Sequence, residues 1–401
     1  MRKLITKSWF KVPSMHLLDI RFKRLGYLLQ SIIITILSIL LSHFIIHDFE
    51  SLSAFASSKS SADFEMSDIY NMVSNQRKVS IASPHVTVVA ADECSRQELL
   101  DLLELVSEYE PKAIGLDIFF RNAENDSTMV LEALQSTPNL VLPCKLQPTE
   151  TGEYERIFYS FVEEKLDANY AYVNLNASST QDVVREFTPM TPIFPRDTLL
   201  HITTAMAEMV APEQYDILRK RNKKTETIKY SSIEIPIIHA HEILQSHNYD
   251  YLSRHLTRRA VLIGDINNLN DMYSTPLKGL TPGVLIHAYA LNTIITEAYT
   301  GVSPSWLNWM IAIFVCVLFI YANILIKERW SHIGNLLMRV LQIALMFGMV
   351  LLGAYWYNQH MQYIDFSPVI LMIGFSALAG DVYDGCYAIY LQINKLIKKR
   401  R

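Results

Sequence analysis

Charged residues are scarce in this chain. Only 19% of its 401 residues are Asp, Glu, Lys or Arg, half are hydrophobic, and mean hydropathy is +0.15. That is too apolar for an ordinary soluble protein of this length, so a membrane protein is the first expectation. Neither sign of charge is in excess. Forty acidic residues against 36 basic ones give a net charge of −4, which leaves no electrostatic footprint for nucleic acid. Cysteine is rare too: four residues, none in Cys-x-x-Cys spacing, exclude a disulfide-dense scaffold and the common structural zinc modules. Gly-x-Ser-x-Gly, Walker, His-Glu-x-x-His and Gly-x-Gly-x-x-Gly strings are missing, as is any repeat of about 20–50 residues. The expectation is therefore no enzyme, no catalytic residue, no cofactor and no metal. His239 and His241 are two apart, so they diverge on a helix and share a face only on a strand.

What the chain does have is four apolar runs, at 25–46, 305–326, 340–357 and 363–383, each near the ~20 residues that cross a ~30 Å hydrocarbon core. Basic residues fall before the first run, in the segment 327–339 and in the tail 384–401, which ends Lys398-Lys399-Arg400-Arg401. The turn after the third run has none. The positive-inside rule then predicts a bacterial inner-membrane protein with both termini cytoplasmic, residues 1–24 a basic N-terminus, and 47–303 extracytoplasmic with a core of about 62–300. This outer segment holds 21 basic and 35 acidic residues, a balance of −14 that opposes nucleic acid and anionic lipid. The first run reads as an uncleaved anchor, because a signal-peptide core is shorter and Ala54-Phe55-Ala56 lies well past its end.

Within the outer segment, Ser51 to Ser67 holds seven serines and reads as a connector. Short apolar runs VTVVAAD, AIGLD and LVLPC then alternate with helix-period stretches at Ser95 to Tyr109 and Ser127 to Leu134. Such alternation predicts βαβ units, hence an α/β domain with a largely parallel sheet above a four-helix membrane part. Strands are expected near Ala171 to Leu175, Val183 to Phe187 and Ile228 to Tyr230, with a helix over Asp197 to Val210 and no assignable strand order in 150–235. The buried run AVLIG ends at Gly264, and Thr281-Pro282-Gly283 opens a helix toward Ala298, with Thr281 as the expected cap.

In open parallel sheets ligands favour the carboxyl ends of the strands. Those ends should carry Asp92, Glu93, Asp117 and Asp265, with Asp271, Thr275 and His287 in the loop and helix that follow, and these seven are the candidate ligand-binding residues. The acids favour a cation or polar organic ligand over a phosphate. The alternative is that they cap helices, end strands and pin a loop. Cys94 and Cys144 each follow a strand, so a disulfide between them is open if those strands are neighbours. Asp381 and Asp384, one turn apart near the end of the last span, point to interfacial solvation or contact with another helix.

The ordered blocks VTVVAAD, AIGLDIFF with Asp126, LVLP, YVNL with Asp182 and Arg185, AVLIGDINNLNDMYSTPL and TPGVLIHAYALNTII resemble the CHASE domain of the second type over about residues 60–385. The last blocks are the most specific, with Gly264, Asp271, Thr275-Pro276, Pro282-Gly283 and His287-Ala288. One anchor before the domain and three spans after it match the family's layout. Members usually carry a Trp-Pro-rich segment after the first acidic strand end, whereas here Asp92-Glu93-Cys94-Ser95 passes directly toward helix. The resemblance implies an extracytoplasmic sensory domain of the kind found beside histidine kinases, cyclases and serine/threonine kinases. Only about ten to fifteen residues follow the fourth span, too few for a folded catalytic domain. Output is then expected from a separate signalling protein at the cytoplasmic face, with an unidentified ligand or protein outside, the lipid bilayer around the spans, and a homo-oligomer left open. The alternative is a non-catalytic scaffold of an envelope complex.

Overall fold

In the computed structural model the described residues are 14–53, 65–77, 81–124, 126–150, 152–177, 183–194, 197–230, 233–245, 248–277 and 279–400. Residues 1–13, 54–64 and Asp182 lie outside them, and with them most of the basic N-terminus and of the serine-rich connector. The chain forms two units. An α/β unit comprises Ser58–Val302 with Ala354–Tyr363, and a helical unit comprises Met1–Ser57, Ser303–Gly353 and Ile364–Arg401.

Five parallel strands centre the α/β unit: β1 (Val86–Ala90), β2 (Ala113–Asp117), β3 (Leu140–Pro148), β4 (Ile237–His239) and β5 (Ala260–Gly264), in the spatial order β4-β1-β5-β2-β3. The last strand in sequence thus lies between the first two. Beyond β3 the sheet continues through antiparallel Tyr154–Ile157 and then Met190–Ile193 and Asp197–Leu200, while Tyr170–Tyr172 pairs β3 in parallel. The central strands read as continuous apolar runs because helices cover both faces. Val89, Ile114, Leu116, Val261 and Ile263 point toward α1 (Arg96–Glu108), α2 (Ser127–Ser136), α5 (Ala240–Gln245) and α6 (Tyr249–Leu256). Val86, Val88, Ala113 and Leu262 point the other way, toward α3 (Ile202–Val210), α4 (Pro212–Arg221) and α7 (Gly283–Ile295).

Local chemistry sets the helix starts. Ser95 and Glu98 close a reciprocal capping box on α1, which buries Leu99, Leu102, Leu103 and Val106 as its 3.6-residue period requires. The helix expected over Asp197 to Val210 is shorter: Asp197–Leu200 is a strand paired with Met190–Ile193, and His201 caps α3 by accepting from the Thr203 amide. Leu199 and Leu200 fit either period, and cross-strand pairing decided between them. Helix α7 begins at Gly283 with Pro282 as its cap, not Thr281, whose hydroxyl is instead engaged by Thr275 at 2.8 Å.

Among the described residues four stretches are long and apolar enough to cross a membrane, Lys23–Phe44, Ser305–Trp330, Ile333–His360 and Ser367–Lys399. Two boundaries differ from the sequence reading. The segment 327–339 is helical rather than a loop, because Lys327, Leu336, Leu337, Met338 and Arg339 are strong helix formers that sustain the ladder from Ser305 to His360. The chain still reverses there: a Cβ on Gly334 would lie 3.0 Å from the Ile326 carbonyl oxygen, whereas eight residues of straight helix span ~12 Å. The tail likewise continues a helix, Ser367–Arg400, started by Asp365, which accepts from the Ser367 amide at 2.9 Å, and by Pro368 in the first turn. Ser31, Thr35, Ser38 and Ser42 form a buried stripe along Ser14–Ser53, their hydroxyls returned to carbonyls of the preceding turn, and this helix packs along Ser367–Arg400.

The connection between the third and fourth spans belongs to the α/β unit. Gly301 and Val302 pair in parallel with Gln362 and Tyr363, and buried Tyr70 packs against Tyr357 and Tyr363 with ring centres 6.3 and 5.9 Å apart.

Candidate functional site

At the carboxyl ends of the parallel strands the candidate residues separate into two groups. The first is buried between the ends of β5 and β2 and the start of α7. Gly264 lets α7 approach the sheet, since a Cβ there would meet Val284 Cγ2 at 2.8 Å, and Gly283 lets the Asp271 carboxyl reach the helix start, since a Cβ there would lie 2.5 Å from its Oδ2. One turn along α7, His287 is 1% exposed, with Nε2 3.8 Å from Asp117 Oδ2, too far for a hydrogen bond. His201 stands beside it, ring centres 5.0 Å apart. Asp117, Asp271, His287 and His201 thus form one polar cluster under the loop 265–283.

Electrostatics favours the neutral forms. Burial pushes Asp117 up to about 6, with Lys145 opposing. Burial and then the Asp117 charge push Asp271 to about 6. Burial holds His287 down at about 4 against the pull of Asp271, and drives His201 well below its usual value, helped by His287. Four ionisable groups therefore share a pocket in which any added charge is costly. The His201 ring is also engaged by the Thr203 hydroxyl, 2.8 Å from its Nδ1.

The second group lines an open crevice of about 560 Å³ at the ends of β1 and β4, with Asp92, Glu93, Glu98 and Asp101 on one side and His239 and His241 on the other. Asp92 is tied to the loop after β5, accepting from the Ile266 amide at 2.6 Å and from Asn267 Nδ2 at 2.9 Å, and burial is the main cause of its raised pKa. Glu93 is exposed and held in the left-handed region at φ 60, a conformation costly for a residue with a Cβ. His239 ends β4 and His241 lies in the first turn of α5, and this strand-to-helix junction brings the rings to 5.5 Å. Among the described residues no set of three or more His, Cys, Asp or Glu is arranged to hold a metal.

Two candidates are local. Asp265 accepts from the Asn267 amide at 2.8 Å and also meets the Asp92 carboxyl, helping to raise it, while Thr275 is buried against Thr281, so both pin the loop. Asp126 is engaged by Arg96 at 3.0 Å and Arg185 by Asp68 at 2.7 Å. The disulfide is contradicted. All four cysteines are free; Cys94 lies in the loop after β1 and Cys144 within β3, and β5 and β2 stand between those strands, a separation of ~14 Å at the usual strand spacing against the ~4.4–6.8 Å a bridge needs. His201, Lys145, Asn267, Glu98 and Asp101 are the members of these sites that sequence reasoning missed. His201 had a signal, a polar residue between an apolar pair and the run ITTAMA, obscured once the helix was started at Asp197.

No curated protein and no solved structure matches the chain. The CHASE2 domain matches residues 55–323, two thirds of the chain, and includes both groups of the site. The chain belongs to the CHASE2 family of extracytoplasmic sensory domains.

Proposed function

We propose that this protein is a non-enzymatic inner-membrane sensor, with the α/β unit outside and the basic ends of the spans in the cytoplasm, and that it passes its state to separate signalling proteins there. Its ligand is a small organic cation. The observation that carries this reading is the crevice at the ends of β1 and β4: acids line it, Glu93 stands exposed and strained at its edge, and it lies where parallel sheets take ligands. Asp92 links this crevice to the loop 265–267, and that loop leads over the buried cluster of Asp117, Asp271 and His287 into α7. A ligand favouring one arrangement of the loop would shift the population of the whole unit. The chain leaves that unit at four points, near residues 57, 303, 353 and 364, so any rearrangement has covalent routes to every span.

The test is thermal unfolding of the full-length protein in detergent against size-matched panels of organic ammonium ions and carboxylates. An ammonium ligand at 100 times its Kd contributes ~2.7 kcal/mol, a rise of ~5–10 °C for a unit of this size. The rise should be lost in Glu93→Gln. Stabilisation by carboxylates, by neither panel, or equally in the variant contradicts the proposal.

A further inference from the structure

The helical unit contains a cavity of about 300 Å³, within the ~300–1,000 Å³ range of small-molecule sites, lined by Asn323, Lys327, Arg339, Gln342, Asp381 and Asp384 among others. Two cations and two anions thus border one space, and among the described residues they form no ion pair with one another. Unlike the neighbouring Lys23, whose ammonium is taken by Glu328, Lys327 has no side-chain partner among them. Arg339 reaches only Gln342 Oε1, at 3.3 Å. Gln342 is itself fixed, its amide donating to the carbonyls of Ile373 at 2.6 Å and Gly374 at 3.1 Å, so it can orient Arg339 without neutralising it. Opposite charges left apart across a gap, where side-chain movement could join them, are complementary to a guest that carries both charges.

Depth identifies the guest. Asp381 and Asp384 lie 14 and 17 residues along the helix from Ser367, ~21 and ~26 Å at 1.5 Å per residue, and Lys327 lies 22 residues from Ser305, ~33 Å. Against a ~30 Å hydrocarbon core Lys327 reaches the interface where headgroups reside, and Asp384 and Asp381 line the same cavity ~4 and ~9 Å short of it. Basic pockets between spans at that level take lipid phosphates. The two carboxylates add what a purely anionic lipid cannot use, a place for an ammonium.

We infer that this cavity binds the headgroup of a zwitterionic phospholipid with a primary ammonium, its phosphodiester held by Lys327 and Arg339 and its ammonium by Asp381 and Asp384. A bound lipid would join the turn at 327–339 to the last helix.

Native mass spectrometry of the full-length protein, released from detergent after titration with phosphatidylethanolamine or phosphatidylglycerol of matched chains, tests this. Preferential retention of phosphatidylethanolamine is expected. The double variant Lys327→Gln, Arg339→Gln should weaken both lipids roughly tenfold, the ~1.4 kcal/mol expected for lost charge-assisted contacts. Asp381→Asn with Asp384→Asn should reverse the preference toward phosphatidylglycerol. Equal retention of the two lipids by the wild type would overturn the inference, and that comparison stands even if a variant does not fold. Displacement of the lipid by equimolar soluble glycerophosphoethanolamine would overturn the membrane source and leave a soluble headgroup as the ligand.

Discussion

Asp117, Asp271 and His287 illustrate how the same residue types acquire different consequences from placement. Asp117 ends a buried strand, Asp271 faces the start of α7, and His287 projects from that helix between them and His201. The raised pKa of Asp117 means that the folded state holds its proton more tightly than the unfolded state. Its ionisation is therefore free of penalty below the usual value near 3.8, costs progressively more as pH rises toward about 6, and costs a constant amount above that. His287 works oppositely, since a lowered pKa makes the folded state gain as pH rises from about 4 to 6.5, so the two partly cancel in the intact protein. The difference between wild type and Asp117→Asn isolates the acid. Denaturant unfolding from pH 4 to 7.5 should show the variant gaining on wild type by ~1–3 kcal/mol between pH 4 and 6 and by no more above it. A difference independent of pH would show that Asp117 is not held at a raised pKa.

Asp92, Glu93, Asp117 and Asp265 could be placed at strand ends from the sequence because each ends or follows an apolar strand. Their grouping was not legible. Whether Asp117 shares a pocket with Asp271 or with Asp92 depends on strand order, and β5, last in sequence, inserts between β1 and β2. The same insertion separates Cys94 from Cys144. Of the three-dimensional neighbours, His201 arises from the 150–235 region, where short strands and helices have similar apolar periods, and Lys145 from the far half of β3.

At the scale of elements, the sheet and α7 meet through two glycines, neither needing unusual φ; what matters is the missing side chain. Gly264 ends β5 directly under Val284, so Gly264→Ala forces a methyl into a packed contact between strand and helix. Such overpacking costs ~1–3 kcal/mol, and thermal unfolding should show it. No change in stability would mean that α7 can lift from the sheet at no cost, which would make it a poor support for His287. The four apolar spans could be read from their length, and so could α1, α2 and the core strands. The helical turn at 327–339 could not, because basic residues near an interface suit a loop and a helix equally, and only the approach of Gly334 to Ile326 shows how the chain reverses. The buried Ser31, Thr35, Ser38 and Ser42 stripe marks the interior face of the first span.

At the scale of the whole molecule, the α/β unit includes the turn between the third and fourth spans as well as the segments before the second and after the first. A signal confined to the first two spans would leave that turn idle. Its strand pairing with Gly301 and Val302, and the packing of Tyr70 on Tyr357 and Tyr363, make residues 354–363 part of the folded unit that carries the candidate site. On the proposed function, occupancy of the crevice changes the arrangement of the spans at their basic ends. This change is tested most directly by nitroxide labels at Leu25→Cys and Ile333→Cys, both exposed at that end, with Cys94 and Cys386 replaced by serine and distances recorded by double electron–electron resonance in reconstituted full-length protein. The ammonium compound that raises the unfolding temperature should redistribute the Leu25–Ile333 distances, and the redistribution should be absent in Glu93→Gln. Binding with an unchanged distance distribution would contradict transmission through the spans.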